Sequence, residues 1–367
     1  MRLVELEDVA NGLYLLCLII GLRLTDRLDS LAFWVFIARV GVVFLTNDVL
    51  FPVSYMPDQL GYIRCAMMYR GDVSEWCNIF GGSVTVGTAS RIFAYFPMPF
   101  LVSVRSISLV NMALVIVFYA FLHKKGFFSP QSRLFYLCYP SFILYSAVGM
   151  RDVFILYLML LAFFFLFERK RFIVGILFLY PLFLLKPQNA FMALPPFILA
   201  LLAGDSKKRM VWAVLLGFVF TFGLLLGAGY LEELNKYRHT FFAEDGGVGE
   251  VERLQGSVLL PFQLLGAAIG VIFMPFPWQA GGAFQLVQSV ENLIVGYILF
   301  LYWTRQPKPG MENLFLNLKL FMFSSMMIYG AVIFNFGTAA RYRFPFVLLF
   351  VLFADRFTLP REKDPKS

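Results

Sequence analysis

Residues 153–189 read VFILYLMLLAFFFLF, then ERKR, then FIVGILFLYPLFLL, then KPQN. Two uninterrupted apolar runs are separated by one tight basic turn and closed by a short polar one. A spanning helix needs roughly 20 mostly apolar residues, fewer where its ends snorkel or the bilayer thins. Both runs therefore read as short membrane spans, and Glu168–Arg171 and Lys186–Asn189 as turns on opposite sides of the membrane.

The pattern extends in both directions. Of the 367 residues, 60% are apolar, 18% aromatic and 15% charged, with 44 phenylalanines, and mean hydropathy is +0.74. A water-facing domain carries about 25% charged residues, so polar surface is too scarce here to coat a soluble globule. That excludes a cytosolic enzyme, a secreted disulfide scaffold and a disordered chain. Apolar runs lie at 9–24, 31–55, 108–122, 134–149, 153–167, 172–185, 190–204, 210–231, 258–275, 283–303, 314–336 and 339–354. The acidic segment Met1–Asp8 does not read as a signal peptide. The pattern predicts an all-α, polytopic integral membrane protein of about eleven transmembrane helices, one integrated domain over 1–367.

Net charge is +8, which suggests either nucleic acid or the positive-inside bias of a membrane protein. Lys124, Lys125 and Arg133, then Arg169–Arg171, Lys207–Arg209, Arg305 with Lys308, and the tail from Asp355 form short basic loops. Placing them in the cytoplasm, with the loop edges Arg23, Arg27 and Lys319, puts 18 of the 31 basic residues there, against 8 of the 23 acids. The excess charge is thus a topology signal, and no nucleic acid is expected as a partner. Parity then makes 258–275, with Pro261, Gly266, Gly270, Pro275 and Pro277, a re-entrant or interfacial segment. Gly223-x-x-x-Gly227 and Gly266-x-x-x-Gly270 read as small-residue packing contacts.

Two long periplasmic loops remain, 56–107 and 232–282, and long loops are usually functional. The first contains an amphipathic helix over 58–69, with Leu60, Ile63 and Met67 on one face. Asp58 opens it after Pro57, either as an N-cap carboxylate or as a base for an acceptor hydroxyl. Asp48, beside Asn47, is a second acid candidate. Cys65 and Cys77 share this loop and can pair if it faces an oxidising compartment. The second loop holds His239 and Pro275-Phe276-Pro277-Trp278.

Short outer turns carry the remaining candidates. Arg151 and Asp152 form either a helix-stopping ion pair or a substrate contact. Lys186, followed by Pro187 and Gln188, opposes the positive-inside trend. Arg341 and Arg343 open the last span, where a guanidinium fork suits phosphate oxygens. Glu291 lies about 12 Å inside its span at 1.5 Å per residue, and Arg39 is the other deep charge. No nucleotide-binding loop and no Cys/His metal cluster is present in the sequence. An anionic, lipid-linked substrate suits this set, with its phosphate on Arg341, Arg343, Arg151 and Lys186 and its tail among apolar helices.

The chain resembles membrane-embedded glycosyltransferases of the GT-C superfamily and the related bacterial O-antigen or exopolysaccharide polymerases. The resemblance rests on Pro57-Asp58-Gln59 with Tyr62, Arg151-Asp152, Lys186-Pro187-Gln188, Pro275-Phe276-Pro277-Trp278 with Glu291, and Arg341-Tyr342-Arg343. It implies a GT-C-like bundle in the bacterial inner membrane, with its active face periplasmic and its C-terminus cytoplasmic. Asp58 is then the catalytic acid of the first outer loop, with Asp48 and Arg341 as further catalytic candidates. Gln59, Tyr62, Asp152, Gln188, His239, Trp278 and Glu291 support them. Gln59 stands where the family often has a second acid. The implied substrate is a polyprenyl phosphate- or pyrophosphate-linked sugar; no resident cofactor is assigned, and use of a divalent metal stays an open alternative. Membrane lipid, the glycan donor and acceptor, and other polysaccharide-assembly proteins are the expected partners. The rival readings are a lipid-linked oligosaccharide flippase and a non-catalytic subunit of the assembly complex. The central expectation is that Asp58, Arg151, Lys186, Arg341 and Arg343 surround one pocket.

Overall fold

A computed structural model describes residues 5–53, 56–71, 77, 84–203, 206, 208–209, 211–212, 230–244, 253–256 and 259–359. Most of the expected span 210–231, the basic residues Lys207, Arg361, Lys363 and Lys366, and the Gly223-x-x-x-Gly227 motif lie outside them. Among the described residues the regular structure is helical, with fifteen α-helices and no strand beyond two isolated bridges. Among the described residues four helices are long and apolar enough to cross a membrane: Val104–Lys124, Ala283–Trp303, Glu312–Val332 and Phe336–Phe357. The chain divides into two compact units, Met1–Phe191 and Met192–Ser367.

The first unit contains α1 (Leu6–Leu24), α2 (Ser30–Thr46), α3 (Asp58–Arg70), α4 (Val84–Tyr95), α5 (Val104–Lys124), α6 (Pro130–Cys138), α7 (Pro140–Ala147), α8 (Asp152–Phe163) and α9 (Phe172–Leu185). α5 is its axis and is buried along most of its length. It starts where Ser103 and Ser106 form a reciprocal capping box. The buried Asp8 of α1 accepts from both hydroxyls, at 2.6 and 3.2 Å. α1 is thereby fastened to the start of α5 by a carboxylate at a helix N-terminus, which the peptide dipoles favour.

Several expected spans are interrupted for visible reasons. The run 31–55 stops being helical at Thr46, because Asp48 adopts φ 65° and its N–H turns to the Phe51 carbonyl. The run 134–149 is two helices, α6 and α7, broken at Tyr139-Pro140, since proline has no N–H for the carbonyl four residues back. The run 153–167 ends in a π-helical turn, Phe164–Glu168. In α3 the buried face is Gln59, Tyr62, Ile63, Cys65 and Ala66, whereas Leu60 and Met67 point outward. Leu60, Ile63 and Met67 stay on one side of the helix by their spacing, with Ile63 at its buried edge. α3 packs on its neighbours through the tyrosine side, not through the more hydrophobic stripe. Cys65 and Cys77 form a disulfide.

α10 (Pro187–Ala203) runs across the boundary between the units. The second unit also contains α11 (Tyr230–Glu244), α12 (Leu260–Phe273), α13 (Ala283–Trp303), α14 (Glu312–Val332) and α15 (Phe336–Phe357). α15 is its buried axis. α12 has 14 residues and so extends about 21 Å at 1.5 Å per residue. Gly266 and Gly270 are not where it meets its neighbours closely, since a Cβ at Gly266 would meet nothing within 4 Å. The close approach is at Gly330 of α14, where a Cβ would overlap the Ala267 backbone.

Candidate functional site

Four of the residues singled out in the first unit, Gln59, Arg151, Asp152 and Lys186, gather at the turn between α7 and α8. Ala147 ends α7, and Val148, Gly149 and Met150 lie beyond it, so their backbone groups need partners from elsewhere. Three buried amide side chains supply them. Asn47 donates to the Ala147 carbonyl at 2.9 Å, and Asn111 donates to the carbonyls of Val148 and Met150 at 2.9 and 2.7 Å. Gln59 accepts from the Gly149 N–H at 2.7 Å. A glycine fits closely here: a Cβ on residue 149 would stand 3.2 Å from the Val104 carbonyl oxygen and 3.3 Å from Gln59 Oε1, so the neighbours would have to give slightly.

The charged residues of the turn follow directly. Asp152 opens α8, is buried, and faces Lys186 Nζ at 3.9 Å. Lys186 sits between α9 and α10 and is only 3% exposed, so it does not snorkel into a headgroup layer. Arg151 is half-buried, and its Nη1 is buried without a hydrogen bond among the described residues. Its own neighbour Asp152 thus pairs with Lys186 rather than forming the local helix-stopping pair the sequence allowed.

Two further groups border this layer. Arg105 donates to the Asn47 carbonyl at 3.0 Å and lies 3.7 Å from the Asp48 carboxylate. Asp58 is the first residue of α3, exposed, with Pro57 in the N-cap position. Next to it, Gln59 and Tyr62 are turned into the protein. Gln188 is exposed in the first turn of α10, while Asn189 beside it is buried. Asn47, Arg105 and Asn111 were not singled out as site residues in the sequence. Their signal was present: Asn47 belongs to the polar triplet Thr46-Asn47-Asp48 in an apolar run, Asn111 is a polar residue inside another, and Arg105 stands just before that one.

In the second unit the candidates divide. Arg343 is fully buried and donates to the carbonyls of Val271 and Ile272 and, at 2.6 Å, to Asn292 Oδ1. Asn292 in turn donates to the carbonyls of Phe273 and Met274. Together they satisfy the carbonyls at the end of α12, where the helix dipole favours a cation. Those contacts commit Arg343 to capping a helix, unlike the phosphate contact expected of it. Arg341, two residues earlier and so on the opposite side of the helix, is partly exposed and lies over the Tyr342 ring at 5.4 Å. Glu291 is buried in α13, His239 is exposed on α11, and Trp278 is exposed and stacked on Phe276 at 4.8 Å. No protein-family model, curated protein or solved structure matches the chain.

Proposed function

We propose that the protein is a glycosyltransferase of surface-polysaccharide assembly, in the bacterial inner membrane, using a polyprenyl phosphate- or pyrophosphate-linked sugar at the periplasmic face. The observation that carries this reading is the polar layer around Gly149. It assembles Arg151 and Lys186 with Asp152, Gln59 and the Asp48–Arg105 pair around one turn of the first unit. Transfer needs cations for the departing phosphate and a base for the incoming hydroxyl. Arg151 and Lys186 take the first role and Asp58 the second, with Asp48 as its alternate. A turn whose backbone is held by Asn47, Gln59 and Asn111 keeps Arg151 in place before substrate arrives, which is what electrostatic stabilisation demands.

The topology belongs to the same proposal: about eleven spans, a re-entrant segment at α12, and the first and second long loops outside. The Cys65–Cys77 bridge supports an oxidising side for the first loop, and the dispersed basic loops support a cytoplasmic opposite side. The test is purified protein in lipid with a polyprenyl-pyrophosphate oligosaccharide. Extended glycan is the expected product, with Arg151→Ala lowering the rate by roughly 10²-fold or more and Asp58→Asn abolishing it in folded protein. Lipid movement across the bilayer without a new glycosidic bond would replace this reading with the flippase.

A further inference from the structure

The polar residues Ser289, Glu291 and Asn292 of α13 are on its buried side, with Val295, Gly296, Leu299 and Tyr302. Its exposed side carries Phe284, Val287, Val290, Ile294, Tyr297 and Phe300, each at least half open. A helix folded in water keeps such an apolar stripe inside. The outward residues recur at steps of three and four, so they form one continuous stripe down the helix. Glu291 is the one charged residue between Ala283 and Trp303, and it faces inward.

The stripe has marked ends. Before its first turn stands Trp278, 79% exposed and stacked nearly coplanar on Phe276. The Phe276 N–H is held by Gln279 at 2.9 Å, which fixes that short turn. At the last residue stands Trp303, with Lys319 Nζ 5.3 Å from its ring. The helix has 21 residues, which at 1.5 Å each extend about 31 Å, close to the roughly 30 Å of a bilayer's hydrocarbon. Indole rings favour the two headgroup layers, and a lysine beyond one of them reaches lipid phosphate.

A second copy of the chain is the competing occupant. Helices that pair within lipid bring small residues to the contact so that the backbones can close. Gly296 is turned inward here, where a Cβ would overlap the Phe273 ring, and the outer stripe from Phe284 to Phe300 consists of bulky side chains. We infer that this stripe is a bilayer-contact surface: acyl chains cover Phe284–Phe300, and Trp278 and Trp303 mark the two headgroup layers. This goes beyond the transferase reading and does not depend on it.

The test uses the full chain with Cys17→Ser and Cys138→Ser, the Cys65–Cys77 bridge kept, and single cysteines in place of Val287, Val290, Ile294, Tyr297 or Phe300. Each is nitroxide-labelled and reconstituted in phosphatidylcholine vesicles, and collision with oxygen is compared with collision with a water-soluble nickel chelate. Oxygen access exceeds nickel access several-fold at Val290 and Ile294, and the ratio falls toward both ends. As an independent readout on the unlabelled protein, Trp278→Phe removes emission that bromines near the glycerol end of the acyl chains quench more strongly than bromines at the chain terminus. Equal access to the nickel reagent overturns the proposal in favour of a water-facing stripe. Shielding from both reagents with spin–spin broadening between labels overturns it in favour of a second copy.

Discussion

Arg39 follows from one missing N–H. Pro140 breaks the α6–α7 run and leaves the Tyr136 carbonyl without its helical donor. Arg39, fully inside the first unit, reaches that carbonyl at 3.5 Å, the Phe142 carbonyl at 3.4 Å and Ser146 Oγ at 2.8 Å. Its guanidinium also lies over the Phe142 ring at 4.7 Å. Arg39→Met leaves buried acceptors without a donor, which costs about 1–3 kcal/mol. On a Pro140→Ala background the new amide N–H serves Tyr136, and the cost of Arg39→Met shrinks. Thermal unfolding of both single variants and the double variant in detergent measures this coupling, and equal costs on the two backgrounds would refute it. The sequence marks Arg39 as a deep charge in an apolar run; its partners lie about a hundred residues away and are invisible to any local pattern. Arg343 is the same case at the end of α12.

Helix ends and helix contacts carry the next level. Asp29 caps α2 through the Ala32 N–H at 3.1 Å, accepts from the Tyr119 hydroxyl, and faces Arg133 at 3.5 Å. Burial pushes its pKa up, but the Tyr119 hydroxyl, the Ala32 N–H and the Arg133 charge outweigh that and hold it below the ordinary 3.8. A depressed carboxyl adds stability at pH above 3.8 and loses it as pH falls through the lowered folded value. Acid unfolding below that pH is therefore steeper in the native protein than in Asp29→Asn, as a pH series of melting curves will record. Packing between α12 and α14 gives the second prediction at this scale. Gly330→Ala forces apart two helix backbones and costs roughly 1–3 kcal/mol or more. Gly266→Ala, with open space at the Cβ, leaves unfolding unchanged or raises its midpoint. The G-x-x-x-G spacing in the sequence pointed to the right helix but the wrong residues, because close approach depends on which face the partner helix meets.

At the scale of the whole molecule, the disulfide is the testable constraint. Cys65 on α3 and Cys77 are both buried and bridged, closing a short loop behind the Asp58–Gln59 start of α3. Removing such a bridge costs about 2–3 kcal/mol in the chain-entropy account, so Cys65→Ser with Cys77→Ser lowers the melting midpoint. Thiol labelling of native membranes modifies these two positions after reduction and not before; labelling without reductant would show that the loop faces a reducing compartment. The sequence placed both cysteines in one loop, and their pairing required the position of residue 77 against α3.

Composition and run length alone determined that the chain is helical and apolar, because scarce polar surface and uninterrupted apolar runs leave few other structures that satisfy every backbone group. The same patterns located Arg151, Asp152, Lys186 and Gln59 near polar turns. Only the tertiary structure decided which of them meet: Lys186 takes Asp152, Gln59 takes Gly149, and Arg343 is drawn away to the carbonyls of α12. The physical reason is that a buried donor or acceptor must find its partner wherever the fold brings one within about 3 Å, and that proximity is a property of packed helices, with no trace in the order of residues along the chain.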